Sequence, residues 1–144
     1  VVSRFGIDTE SEEFDQILSE ISCTDNMKLV SLQCHFAKRF SKYWEKRTLS
    51  MLNTYNYVKE KYGIIAEIID LGGGITGNMT TEFAEQINSE DISPENSARL
   101  VADFFKNKDE TPILLVEPGT GICADTMFGV FCIKNIKNNC KKHS

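Results

Sequence analysis

The stretch "EIIDLGGGIT", Glu67 to Thr76, decides how this chain is read. An apolar run with the character of a buried strand stops at Asp70, and three consecutive glycines follow at Gly72, Gly73 and Gly74. Each glycine gives up more backbone freedom on folding than any other residue, so three in succession need a reason. One reading is a tight strand-to-helix turn that requires positive φ. The other is a concavity of successive backbone amides that an anion such as phosphate can approach closely. The glycine spacing is neither the G-x-G-x-x-G of a dinucleotide site nor a loop followed by G-K-[ST], which weakens the nucleotide readings.

Outward from the glycines the pattern repeats. "IIAEIIDL" is one predicted strand, preceded by a long helix over Ser41 to Tyr62 whose apolar stripe includes Trp44, Met51, Leu52, Tyr55, Val58 and Tyr62. Gly63 is that helix's stop signal. Before it, "MKLVSLQCHF" (27–36) is a strand candidate, and "TESEEFDQILSEIS" a helix behind a Thr9/Glu12 capping box. "VVSRFGI" at the start is β-like. After the glycines comes the polar stretch "GNMTTEFAEQINSED". A helix follows, capped by Ser93 with Pro94 in its first turn and buried through Leu100, Val101, Phe104 and Phe105. "TPILLVE" is a further strand, and "MFGVFCIKNIK" (127–137) another after the loop "PGTGICAD".

Strands alternating with helices predict an α/β fold with a parallel sheet and right-handed crossovers. A doubly wound sheet closes within 144 residues, whereas a (β/α)8 barrel takes about 250, so on the barrel reading the chain is part of one. No internal repeat or low-complexity linker divides it. In either architecture ligands bind at the carboxyl ends of the strands. Those ends carry His35 in "LQCHF", the glycines in "DLGGG" and Glu117 in "VEPGTG". Taken singly, a strand-end histidine or carboxylate is more often a hydrogen-bonded structural residue than a ligand-binding one.

Composition narrows the function classes. The formal net charge of −5, with basic residues dispersed apart from the terminal "KNNCKKHS", gives no electrostatic footprint for nucleic acid or an anionic membrane. No apolar run approaches the roughly 20 residues of a membrane span, and "VVSRFGIDTE" lacks the regions of a signal peptide, so a cytoplasmic protein with small-molecule or protein partners is expected. The five cysteines contain no C-x-x-C pair and fit reduced thiols, mostly small buried residues, better than a disulfide frame or a zinc site. His143 is expected in solvent, and no spacing marks a metal cluster or a Ser/His/Asp arrangement.

The order "SRFGI", "LQCHF", "IIDLGGGI", "LLVEPGTGICAD" resembles the second half of the barrel domain of the fold-type III pyridoxal-phosphate decarboxylases. That family includes the diaminopimelate, ornithine, arginine and carboxynorspermidine decarboxylases. Its motifs read K/R-F-G, H-x-G-S, D-[IL]-G-G-G and E-P-G-R in the same order. The resemblance runs from Val1 to about Lys137, with 138–144 a polar tail or the start of a further segment.

The resemblance implies a partial (β/α)8 barrel of the alanine racemase-like type and pyridoxal 5′-phosphate as cofactor. Gly72, Gly73 and Gly74 match the loop around its phosphate, and Gly119 and Thr120 fall in the E-P-G-R position. Glu117 matches the carboxylate that keeps the pyridine nitrogen protonated, and His35 the histidine against the ring; these two are the implied catalytic residues. Glu117 also favours decarboxylation of an amino acid over racemisation, because the related racemases place an arginine there. Two motifs depart from the family pattern: Ala37 and Lys38 stand where G-S is usual, and Thr120 replaces the arginine. Lys38 or Arg39 is the expected substitute cation. The family's covalent lysine and its C-terminal cysteine and aspartate motifs are not matched, and Cys140 does not match that cysteine motif. The resemblance therefore implies that this chain supplies the phosphate- and pyridine-binding half of a longer, homodimeric decarboxylase and is inactive alone. A non-catalytic homologue that regulates a partner, and an unrelated doubly wound domain binding a phosphorylated small molecule, are the other readings.

Overall fold

The computed structural model describes residues 5–36, 40–77, 80–87, 89, 93–106, 111–123 and 129–136. Its first helix, α1 (Glu12–Ser22), begins where Ser11 Oγ accepts the Phe14 N–H at 3.3 Å. The cap is therefore Ser11 and not the expected Thr9, and Glu12 lies inside the helix. A short strand, β1 (Ser31–Gln33), leads to α2 (Ser41–Tyr62), which has the predicted boundaries and ends at Gly63 with φ 68°. Then follow β2 (Ile68–Asp70), a six-residue helix α3 (Thr81–Gln86), α4 (Pro94–Phe105) capped by Ser93, and β3 (Ile113–Leu115). The "PGTGICAD" stretch, expected as loop, contains a helical turn, α5 (Gly119–Cys123).

The three strands form one parallel sheet in the order β1-β2-β3, with Leu32 opposite Ile69 and Ile69 opposite Leu114. The order follows the chain without the reversal that makes a sheet doubly wound. The crossover helices α2 and α4 pack against each other, as connections of the same hand laid on one face do. The core lies between them and the sheet: Leu32, Trp44, Met51, Leu52, Tyr55, Ala66, Ile69, Leu71, Ile75, Val101 and Phe105. Each large side chain of this kind contributes about 1.5–3 kcal/mol when taken out of water. Phe14 and Leu18 of α1 pack on Val58 in a second cluster at the other end of α2.

Two predicted strands differ. Of "VVSRFGI", residues 1–4 lie outside the described region, while Phe5 and Gly6 form a bend with Phe5 exposed. Of 127–137, residues 129–136 run as irregular chain with Val130 and Phe131 96% and 89% exposed. β-character in the sequence becomes a strand only beside a ladder partner, and among the described residues neither segment has one. The expectation that most cysteines are buried also fails: Cys23, Cys123 and Cys132 are exposed and Cys34 is half-buried, with Cys140 outside the described residues. None of the four described cysteines is in a disulfide. No described helix is long and apolar enough to cross a membrane.

Candidate functional site at the carboxyl edge of the sheet

The ladder continues beyond the strands and sets the site. Cys34 N donates to Asp70 O at 3.0 Å, Leu71 N to Leu115 O at 2.9 Å and Glu117 N to Gly72 O at 3.0 Å. With Gln33, Asp70 and Leu115 in register, two further steps along each chain bring His35, Gly72 and Glu117 to the same level. Three residues far apart in sequence thus stand side by side at the carboxyl ends of adjacent strands.

The glycine turn is shaped by its neighbours. Asp70 Oδ1 accepts the Gly72 N–H at 2.8 Å, an Asx-type turn that carries Gly72 to φ 68°. A Cβ on Gly72 would collide with the Cys34 carbonyl oxygen and approach His35 Cα and Nδ1, both at 3.2 Å. One on Gly73 would sit 3.0 Å from His35 Cε1 and 3.1 Å from the Glu117 carbonyl oxygen. The side-chain-free backbone at Gly72 and Gly73 is therefore demanded by the protein's own chain. Gly74, at φ 93°, continues the turn into the buried pair Ile75 and Thr76.

His35 and Glu117 face each other with Nδ1 3.4 Å from Oε2, and each side chain is about half exposed. The Gly73 N–H also points at His35 Nδ1, at 3.4 Å. The two contacts exclude one another, because Nδ1 accepts from Gly73 only without a proton and donates to Glu117 only with one. Proton position on this ring thus selects which neighbour His35 holds.

Gly119 and Thr120 open α5, where Gly119 N donates to Glu117 O at 2.9 Å. That turn packs against the irregular stretch following the glycines: a Cβ on Gly77 would lie 2.7 Å from Gly121 O, and one on Gly121 3.0 Å from Ile75 Cγ2. Lys38 and Arg39 lie outside the described residues. The Cys34 thiol, next to His35, is pushed up to about 11 by burial, which keeps it an uncharged and poor nucleophile at neutral pH.

One residue at this edge escaped the sequence reading. Arg47 is 0% exposed on the core face of α2, and its Nη1 donates to Leu71 O and Gly73 O at 2.6 Å each. Its guanidinium lies over the rings of Trp44 at 4.3 Å and Phe36 at 5.1 Å. Its position three after Trp44 and four before Met51 was the available signal, but a cation within an apolar stripe is ordinarily read as solvated.

The description "pyridoxal-dependent decarboxylase, pyridoxal binding domain" fits residues 2–124 of this sequence. The chain belongs to that family. Pyridoxal phosphate is the cofactor of the family's domain, as the strand-end motifs imply. Among proteins similar to this family member, the diaminopimelate decarboxylase of Corynebacterium efficiens is 27% identical over 142 residues, covering 94% of this chain and 30% of that protein. Among solved structures, the ornithine decarboxylase of Entamoeba histolytica matches 76% of this chain and 29% of its own, with a TM-score of 0.51 and 20% identity. The arginine decarboxylase of Paramecium bursaria Chlorella virus matches 72% and 27%, with a TM-score of 0.46 and 18% identity. The decarboxylase-family chain thus spans about 30% of the length of the relatives it matches. Its parallel β1-β2-β3 sheet with flanking helices is part of a barrel of the alanine racemase-like type.

Proposed function

We propose that this chain forms the phosphate- and pyridine-facing part of the site of a pyridoxal 5′-phosphate-dependent amino acid decarboxylase. The observation that supports this best is the placement of His35, the Gly72–Gly73 turn and Glu117 at one level on three adjacent strand ends. The cofactor's chemistry fits the groups present. A dianionic phosphate needs positive charge and amide donors, and a fully buried arginine lies behind the glycine turn. A protonated pyridine nitrogen needs a carboxylate, and the Glu117 side chain is half exposed at the rim. When bound, the cofactor's ring draws off the electrons released as the substrate's carboxylate departs as carbon dioxide.

The chain's own residues take the remaining roles. Glu117 would hold the proton on the ring nitrogen by charge and hydrogen bond. His35 would stand beside the ring, with its Nδ1 free to accept from the Gly73 N–H if Glu117 is engaged by the cofactor. Gly119, whose N–H is taken by Glu117 O, would leave room without a side chain near the phosphate, and Thr120 would offer a hydroxyl there, which gives one hydrogen bond but no charge. The substrate is a diamino acid or a related amino acid, and the protein acts as a homodimer together with parts supplied beyond these residues.

The test is carbon dioxide release from diaminopimelate, ornithine, lysine and arginine by the protein at its full natural length. Glu117→Gln, which keeps shape and removes charge, is expected to lower kcat about a hundredfold with the cofactor still bound by its visible absorbance. An undiminished rate would overturn the assignment of Glu117. A non-catalytic, partner-binding homologue is the second reading, favoured by Thr120 in the position of a phosphate-contacting arginine. Cofactor absorbance without turnover of any amino acid would support it.

A further inference from the structure

Arg47 is a buried cation with an incomplete set of partners. Its Nη1 is engaged twice, but Nε and Nη2 are buried without a hydrogen-bond partner, and among the described residues no carboxylate pairs with it. A guanidinium held in this way keeps its charge, and a buried charge needs a counter-charge or dipoles turned toward it. The dipoles are identified: the carbonyls of Leu71 and Gly73, with two aromatic faces beside them.

Those carbonyls belong to the peptides whose N–H groups are those of Gly72 and Gly74. Neither peptide is cis, so in each the N–H points opposite to the C=O. With both oxygens drawn to Arg47, both N–H groups point away from it. The Gly72 N–H is consumed by Asp70 Oδ1 at 2.8 Å. The Gly74 N–H is the one that Arg47 leaves directed outward, and the cation behind the carbonyl makes it a stronger donor. Gly74 tolerates this orientation because its φ of 93° is open to glycine.

We propose that Arg47 is a positioning residue for the cofactor phosphate: it fixes the Gly73–Gly74 peptide with its N–H outward and supplies from behind the loop the positive charge that Thr120 lacks. The proposal rests on the reading of the glycine turn as the phosphate loop. It also accounts for a cation in the core face of α2, since the phosphate dianion completes the charge balance that the described residues leave open.

The experiment compares pyridoxal 5′-phosphate with pyridoxal, its phosphate-free form, as ligands of the full natural-length protein and of Arg47→Met, Arg47→Gln and Arg47→Lys. Arg47→Met is expected to weaken pyridoxal 5′-phosphate binding by about tenfold or more while leaving pyridoxal binding unchanged. Arg47→Lys, which keeps the charge, is expected to recover part of the difference. Arg47→Gln retains a donor for the carbonyls without charge and carries the same test should Arg47→Met fail to fold. The phosphorus resonance of the bound cofactor gives a readout independent of turnover. Near the second phosphate ionisation at about pH 6, loss of the cation is expected to move its titration to higher pH. Equal losses for both ligands, or a phosphate preference and resonance unchanged in Arg47→Gln, overturn the role of Arg47 while the site stands. No phosphate preference in the unsubstituted protein overturns the phosphate-loop reading itself, and this proposal with it.

Discussion

At the scale of single residues, the three glycines divide. The sequence left these glycines open between a positive-φ turn and a close approach, and for the first two the approaching group is the chain itself: the Cys34 and Glu117 carbonyls and the His35 ring. Those contacts bridge some forty positions of sequence, so no local pattern reveals them. Gly72→Ala must both hold φ near 68° and push back the Cys34 carbonyl, and is expected to cost about 3 kcal/mol in denaturant unfolding. Gly63→Ala is the control, because Gly63 has the same φ of 68° with open space around it. It should cost only about 1 kcal/mol, and equal costs at the two sites would show that crowding at Gly72 is relieved cheaply. Arg47 marks the opposite limit of legibility. Its helical position placed it on the core face, but only the structure shows the carbonyls it faces.

At the scale of elements, helices were more legible than strands. Periodicity and Gly63 bounded α2 correctly because a helix makes its hydrogen bonds within itself. The three predicted strands that form are three residues each, since a strand extends only as far as a neighbour pairs with it. How α1 docks was not legible either. Asp15 of α1 accepts from Tyr57 Oη at 2.5 Å, Lys61 Nζ at 2.8 Å and Tyr62 Oη at 2.9 Å, all from α2. The hydrogen bond from Lys61, then those from the two tyrosines, hold the Asp15 carboxyl down at about 2, and Asp15 in turn raises the Lys61 ammonium above its ordinary value. A carboxyl depressed in the folded state contributes stability that is present above its ordinary value of 3.8 and is lost as pH falls toward 2. The Lys61 contribution runs the other way, present below 10.5 and lost only at more alkaline pH. Protection of the α1 amides, taken relative to their intrinsic exchange rate at each pH, is therefore expected to fall between pH 4 and pH 2 ahead of protection in β2. Asp15→Asn should abolish that acid-dependent step, and an α1 that remains as protected as β2 through this range would show that Phe14 and Leu18 alone hold it.

At the scale of the whole molecule, the sheet is covered unevenly. β2 is buried at Ile69, while Ile113, Leu114 and Leu115 of β3 are all exposed, Ile113 at 66%. Among the described residues β3 pairs only with β2, which leaves its far edge open. Later in the chain Val130, Phe131, Ile133 and Ile136 are exposed as well. An unpaired, apolar strand edge is a template for pairing with another chain, and exposed apolar side chains drive association in water. A net charge of −5 spread over 144 residues opposes this weakly, because repulsion between exposed charges is screened within about 10 Å at ordinary salt. The 144-residue segment produced alone is therefore expected to self-associate at micromolar concentration, in sedimentation velocity as a weight average that rises with concentration. Ile113→Lys together with Leu115→Glu, placing charge on the open edge strand, should shift the distribution toward monomer without unfolding α2. A segment that sediments as a single monomeric species at every concentration would mean that the β3 edge is closed by this chain itself, and the surface at Ile113 and Phe131 would then have to be covered in solution.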